Sequence, residues 1–75
     1  MNITYQMISD DITTENGEII TVFGVTVVTS DGRVLESVPD IFFDRVRAEN
    51  FVSLCNSEQL DISHFFDVIE NIISS

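Results

Sequence analysis

Hydrophobic and polar residues alternate along the first half of the chain with the period of two that is typical of β-strands. In the segment ITYQMI every second residue is apolar (Ile3, Tyr5 and Met7), which predicts a half-buried strand. The segment IITVFGVTVVT at residues 19–29 is rich in β-branched side chains, which favour a pleated sheet over a helix. A third segment, RVLESV, precedes Pro39, which we expect to end the strand.

Two turn sequences that contain glycine separate the predicted strands. Asn16-Gly17 lies in the acidic segment DDITTENGE, which we expect to be a loop, and Asp31-Gly32 follows the second strand. Asp-Gly between β-branched segments favours a two-residue type I′ hairpin, in which both central residues have positive φ. The residue pairs predicted by this loop are Val28 with Leu35 and Val25 with Val38.

The second strand is also expected to pair with the first, giving a three-stranded antiparallel meander. The predicted pairs are Met7 with Ile20 and Tyr5 with Val22. Gly24 lies within the second strand and has no side chain to pack, so it predicts a β-bulge or a sharp bend at this point.

After Pro39 the apolar residues recur every three or four positions, which predicts two amphipathic helices. The apolar positions are Ala48, Phe51, Val52 and Cys55 in the first helix, and Ile62, Phe65, Phe66, Ile69, Ile72 and Ile73 in the second. The short connection NSEQLD makes the helices antiparallel neighbours, with Asp61 or Ser63 as the cap of the second. The predicted fold is α+β, a β-β-β-α-α chain in one domain of residues 1–75, with both helices on one face of the sheet.

The small size and the apolar content of the chain favour a partner. It has 75 residues, of which 44% are hydrophobic and six are Phe. A domain of this size buries little surface and has a small stability margin, so surplus apolar surface favours association with a second copy or with another protein.

The N-terminal segment lacks the pattern of a secretory signal. A helix that spans a bilayer needs about 18 apolar residues, and every apolar run in the chain is shorter than that. We therefore expect a cytoplasmic protein and no membrane partner.

The charge of the chain is strongly negative. Thirteen Asp and Glu residues and only three Arg give a net charge of −10, with no Lys. Such a chain repels phosphate backbones and anionic lipids, so we expect no direct binding to nucleic acid. A basic protein surface is the natural complement, and acids can also imitate a phosphate backbone. The alternative is that the acids keep a small hydrophobic domain soluble.

The segment CNSEQLDISH contains the only Cys and the only His of the chain, Cys55 and His64, with Asp61 between them. Cysteine hydrolases use these three side-chain types, but Cys55 lies on the apolar side of the first helix, where a thiolate is disfavoured. His64 lies in the first turn of the second helix, where the helix dipole disfavours an imidazolium. We therefore interpret the three residues as a core thiol, a surface histidine and a helix cap, and we expect no catalytic residues and no enzymatic activity.

The acidic residues of the first predicted loop are the candidates for a metal site. They are Asp10, Asp11, Glu15 and Glu18. Neither Gly17 nor Gly32 is preceded by acids at the spacing of an EF-hand loop, so weak and non-specific cation binding is the alternative to no binding. No Cys/His cluster has the spacing of a zinc site, and no glycine-rich loop is present, so we expect neither a metal nor a cofactor.

Two of the three arginines lie where the third predicted strand meets the first helix. We expect Arg45 and Arg47 to pair with nearby acids, Asp44 and Glu49, on a solvated face. Contact with an acidic partner is the alternative. Asp40 is expected to cap the first helix.

Several short motifs resemble those of a family of short uncharacterised proteins from Gram-positive anaerobes. They are FGV at 23–25, PDI at 39–41, LCN, QLD and SHFFDVIENII. The resemblance covers roughly residues 19–73 and implies a strand, a helix and a closing helix, but no activity, because the family is described only as a domain of unknown function. The chain departs from the family pattern at Phe23 in place of tyrosine, at Phe42 in place of the serine that caps the first helix, and at Asn71 in place of an acid. The family's His-x-x-Asp pair corresponds to His64 and Asp67 and implies no site.

Two hypotheses for function follow from the sequence. In the first, the chain is a protein–protein interaction module, a homodimer that uses a free sheet edge or the apolar face of the last helix. The interface candidates are Phe65, Phe66, Ile69 and Ile73, with Phe66 and Ile73 preferred. In the second, it is an acidic decoy of the kind found in phages or mobile elements, which blocks a basic nucleic-acid-binding protein.

Overall fold

The computed structural model describes residues 2–74 and contains three antiparallel strands followed by two helices. The strands form one open sheet in the order β1-β2-β3, with β1 at Ile3–Thr13, β2 at Ile19–Thr29 and β3 at Val34–Phe42. The helices are α1 at Arg45–Ser57 and α2 at Ile62–Ser74. The predicted α+β class and the β-β-β-α-α order are confirmed.

The hairpin of β1 and β2 is longer than predicted. Residues 10–13 continue β1 instead of forming a loop, so Tyr5 lies opposite Val27 and not opposite Val22. Likewise Met7 lies opposite Val25 and not opposite Ile20. The predicted register was wrong because Asp and acidic clusters favour loops, whereas here residues 10–13 are exposed and continue to pair with β2.

The two hairpin loops share one conformation. In each, a threonine exchanges hydrogen bonds across a three-residue loop: the Thr14 N–H donates to the Glu18 carbonyl at 2.8 Å, and the Thr29 N–H donates to the Arg33 carbonyl at 2.8 Å. The glycine of each loop has positive φ, 83° at Gly17 and 88° at Gly32. This is a type I turn followed by a glycine bulge, not the predicted type I′ turn, because only the glycine enters the left-handed region.

The longer loop changes the register of β2 and β3 near the turn. The predicted pair of Val25 with Val38 is confirmed, but Val28 lies opposite Val34 and not Leu35. Beyond this irregularity, β3 also continues past Pro39, so the prediction that Pro39 ends the strand was wrong. Proline is tolerated here because β3 is an edge strand.

Gly24 allows β3 to approach β2 closely at Pro39. The register of the two strands shifts between Phe23 and Val25, which confirms the predicted irregularity. A Cβ atom at Gly24 would lie 2.3 Å from the Val38 carbonyl oxygen and 2.7 Å from the Pro39 Cα, which is shorter than any real contact. Only glycine fits at this position.

The start of α1 corrects another prediction. Asp40 lies within β3 with a φ of 62°, so it does not cap the helix. The cap is Asp44, whose carboxylate accepts a hydrogen bond from the Val46 N–H at 2.9 Å. This bond satisfies one of the amides that the first turn leaves unpaired.

The core lies between one face of the sheet and both helices. Helix α1 contacts all three strands and buries Ala48, Phe51 and Cys55, while α2 buries Phe65 and Ile69. The Phe65 ring lies 5.0 Å from the Tyr5 ring and 6.3 Å from the Phe51 ring, measured between centroids. This aromatic cluster connects α2 to β1 and to α1.

We expect Gly24→Ala to lower the free energy of unfolding by about 2 kcal/mol or more, because the new methyl group would displace the backbone of β3. Gly17→Ala is the matched control. It has no atom within 4 Å of its Cβ position, but its positive φ should cost about 1 kcal/mol. Urea unfolding followed by circular dichroism measures both. Equal losses in the two variants would contradict the close approach at Gly24.

Candidate interaction surface

The structure does not assemble Cys55, Asp61 and His64 into a reactive site. Cys55 is fully buried, and burial raises the pKa of its thiol. The Asp61 carboxylate accepts a hydrogen bond from the His64 N–H at 2.8 Å, which makes Asp61 the cap of α2, as predicted. The His64 side chain is exposed. The thiol is therefore sealed in the core while the imidazole faces solvent.

We expect Cys55 to react with a disulfide reagent such as DTNB at least about a hundredfold more slowly than free cysteine, because exposing its side chain requires the core to open. The rate should rise with urea in parallel with unfolding. A thiol that reacts in the native protein as fast as free cysteine would contradict the burial of Cys55.

The acidic residues of the first hairpin do not converge on a common point. Asp10 and Asp11 are neighbours on β1, so their side chains point to opposite faces. Asp11 also accepts a hydrogen bond from the Thr21 hydroxyl at 2.8 Å. Within residues 2–74, no group of three or more His, Cys, Asp or Glu side chains is placed to hold a metal ion.

The arginines near the start of α1 interact locally. The predicted ion pairing is confirmed for Arg45, whose Nε lies 3.0 Å from the Glu49 carboxylate. The Arg47 guanidinium lies over the Phe42 ring, 5.9 Å from its centroid. The Arg45–Glu49 pair is on the surface and contributes little stability, whereas Arg47 is exposed and covers the buried Phe42 ring.

The four interface candidates on α2 divide into two pairs. Phe65 is fully buried and Ile69 is 5% exposed, so both belong to the core and present no surface to a partner. Phe66 is 42% exposed and Ile73 is 66% exposed. With the half-buried Ile62, these two residues form an apolar surface along one side of the helix, here named the α2 stripe. The Phe66 ring lies 5.9 Å from the Phe65 ring, so the α2 stripe is continuous with the core.

Other exposed apolar residues lie apart from the predicted helix faces. Phe43, which is 73% exposed, follows β3, and Val46 and Leu54 lie on the outer side of α1. Val46 and Leu54 lie outside the apolar stripe of the α1 sequence, so the helical period of that stripe already predicts that they are exposed. No sequence pattern distinguished Phe43 from the buried Phe42 beside it.

The outer edge of β1 is closed near its start by Asn56 of α1. The Tyr5 N–H donates to the Asn56 Oδ1 at 2.8 Å, and the Asn56 Nδ2 donates to the Tyr5 carbonyl at 2.9 Å. The Asn56 amide therefore occupies the place of a neighbouring strand. The Tyr5 hydroxyl donates to the Leu60 carbonyl at 2.7 Å, and its pKa is raised by burial and, to a lesser degree, by Cys55 and Asp61.

Acidic side chains cover further edge amides. The Asp10 carboxylate accepts a hydrogen bond from the Asp11 N–H at 2.9 Å on β1. On β3, the Glu36 carboxylate accepts from the Ser37 N–H at 3.2 Å, and Pro39 has no N–H to offer. Charges, prolines and occupied amides are the features that prevent edge-to-edge association of sheets. At these points the outer edges of β1 and β3 are poorly suited to strand pairing.

A cleft of about 640 Å³ lies where β1 begins, beside the connection between the helices. Its apolar lining residues are Ile3, Leu35, Leu60 and Ile62, and its polar ones are Asn2, Thr4, Asn56, Gln59 and Asp61. The Asn56 side chain already bonds the Tyr5 backbone and the Asp61 carboxylate already bonds the His64 N–H, so these two polar groups are engaged within the fold.

Comparisons of the chain with family models, with curated proteins and with solved structures give no match. The resemblance to the family from Gram-positive anaerobes therefore stays a prediction. In the part of the chain that the structure describes, no helix is long and apolar enough to cross a membrane.

We expect Asn56→Ala to lower the free energy of unfolding by about 1–2 kcal/mol, because two hydrogen bonds to Tyr5 are lost. Asn56→Asp should be more harmful at neutral pH, since a carboxylate would face the Tyr5 carbonyl. When the new carboxyl is protonated it can donate a hydrogen bond to the Tyr5 carbonyl, so the folded state raises the pKa of that carboxyl. The stability lost at neutral pH should therefore return as the pH falls. Urea unfolding across a pH series measures the free energy of unfolding of both variants. If Asn56→Asp were less stable than Asn56→Ala by the same amount at every pH, the hydrogen bonds assigned between Asn56 and the Tyr5 backbone would be contradicted.

Proposed function

We propose that this chain is a non-enzymatic, cytoplasmic protein–protein interaction module that associates with a second copy through the α2 stripe. The observation that carries the proposal is the exposure of Phe66 and Ile73 beside the buried core residues Phe65 and Ile69. Partly exposed aromatic and aliphatic side chains next to a rigid core are typical anchors of protein interfaces.

The form of the α2 stripe supports a second copy as the partner. A single helix face that continues from the core can pack on the same face of another copy around a two-fold axis, so each anchor meets its equivalent. The protections on the outer edges of β1 and β3 also favour a helical contact over sheet pairing. The gain in buried apolar surface would add to the small stability margin of a 75-residue domain.

The charge on the chain opposes this association and makes it dependent on salt. Helix α2 carries the exposed acids Asp67 and Glu70 and contains no Lys or Arg. Two copies with a net charge of −10 each repel one another at low ionic strength. Added salt screens that repulsion, so dimerisation should strengthen from low to moderate salt.

We expect the wild-type protein to be a dimer at tens of micromolar and Phe66→Asp or Ile73→Asp to raise the dissociation constant by about thirtyfold or more. Leu54→Asp is the matched control, because Leu54 is 54% exposed on α1 and gains the same charge. Sedimentation equilibrium at two salt concentrations measures the effect. A wild-type monomer, or equal weakening by Leu54→Asp, would contradict the proposed interface.

The acidic decoy is the second candidate function. It is favoured by the exposure of the acids, since all thirteen except Glu36 are exposed. They are spread over the hairpin, β3 and both helices, whereas imitation of a phosphate backbone requires acids along one surface. Binding of such a decoy to a basic protein should weaken with added salt, which is opposite to the salt dependence of the dimer.

A further inference from the structure

The distal part of the hairpin, residues 9–22, extends beyond the third strand and is here named the arm. Pairing of β2 with β3 reaches only to Phe23, which lies opposite Phe42. From Ile19 to Val22, β2 pairs with β1 alone. After Phe42 the chain leaves the sheet and enters α1. The position that β3 would occupy therefore has no paired strand beside Ile19 and Thr21, which are exposed, whereas Val22 at the base of the arm is buried.

The backbone groups at this position can be assigned from the pairing. The Thr29 N–H donates across to Arg33, so odd-numbered residues of β2 direct their N–H and C=O groups away from β1. The register of β1 and β2 is unbroken from one end to the other. Ile19 and Thr21 therefore present unpaired donors and acceptors along the outer edge of the arm.

The side chains around this edge do not protect it. Ile19 is 72% exposed and Thr21 is exposed, and neither is a charged residue or a proline. On one face of the arm, Ile12 lies opposite Ile20 and offers an apolar surface. On the other face, Asp11 lies opposite Thr21, and Ile19 lies on this face as well. Asp10 lies on the same face as Ile12. This edge differs from β1 at Tyr5 and Asp11 and from β3 at Ser37, where side chains accept hydrogen bonds from the outward amides.

We propose that the outer edge of β2 at Ile19 and Thr21 accepts an extended segment of another protein, which adds as a strand in line with β3. The segment alternates apolar and basic residues. Its apolar side chains lie beside the Ile12–Ile20 face, and its Lys or Arg side chains lie beside the face that carries Asp11.

Charge complementarity selects this partner over a second copy. The arm carries Asp10, Asp11, Glu15 and Glu18, and no Lys or Arg precedes Arg33 in the chain. Pairing two arms would bring eight acidic groups together, whereas a basic strand would neutralise them. The proposal is independent of the α2 stripe, which lies on a different element.

The experiment uses a fluorescently labelled, end-capped eight-residue peptide of alternating Val and Lys as the probe for the partner segment. Fluorescence anisotropy with the full chain should show binding that weakens as salt is added. Thr21→Pro removes an N–H that the hairpin itself does not use, and should weaken binding by about tenfold or more. Ser9→Pro is the matched control, because the Ser9 N–H points to the outer edge of β1, and it should leave binding unchanged.

Amide hydrogen exchange of the wild-type protein provides a readout that does not depend on a variant. Peptide should slow the exchange of the Ile19 and Thr21 amides and leave the Met7 amide unchanged. Phe66→Asp should bind the peptide like the wild type, which separates this proposal from the dimer.

Three results would overturn the proposal: no slowing at Ile19 and Thr21, equal binding of a peptide that alternates Val with Glu, or a dimer that Thr21→Pro converts to a monomer. The last would assign the edge to a second copy.

Discussion

The burial of Tyr5 joins the sheet to the helices, and the rest of the architecture depends on it. The Tyr5 ring packs on Phe65, and the Tyr5 hydroxyl donates to the Leu60 carbonyl. The backbone N–H and C=O of Tyr5 both form hydrogen bonds with the Asn56 side chain. One residue near the start of the chain thus closes contacts to residues more than fifty positions later. Because the hydroxyl and the backbone groups of Tyr5 are paired, their hydrogen bonds offset the cost of removing them from water.

This anchor also determines which surfaces remain open. With Tyr5 and Phe65 in contact, α2 directs Ile69 into the core and leaves Phe66 and Ile73 at the margin. Towards the far end of the hairpin Ile19 and Thr21 stay exposed, although Val22 is buried. The two surfaces proposed for partners therefore lie on different elements, an apolar one on α2 and the outer edge of β2 at Ile19 and Thr21.

Local chemistry made several features predictable from the sequence. The helices follow from the period of their apolar residues, and Asp61 caps α2 because its side chain can accept an amide hydrogen bond there. Gly24 predicted a bulge or bend in β2, since a residue without a side chain weakens a strand interior. The sequence did not predict that Phe65 is buried and Phe66 partly exposed, because both lie on the apolar side of the helix. The difference arises from the packing of Phe65 against Tyr5.

Periodicity and composition within short segments were enough to predict the α+β class, the order of the elements and the burial of Cys55 in the core. The register of the first hairpin, the continuation of β3 past Pro39 and the exposure of Ile19 and Thr21 became clear only from the folded chain. These depend on which backbone groups find partners across the sheet. A polar, acidic segment such as residues 10–13 is compatible with both loop and strand until its partner strand is known.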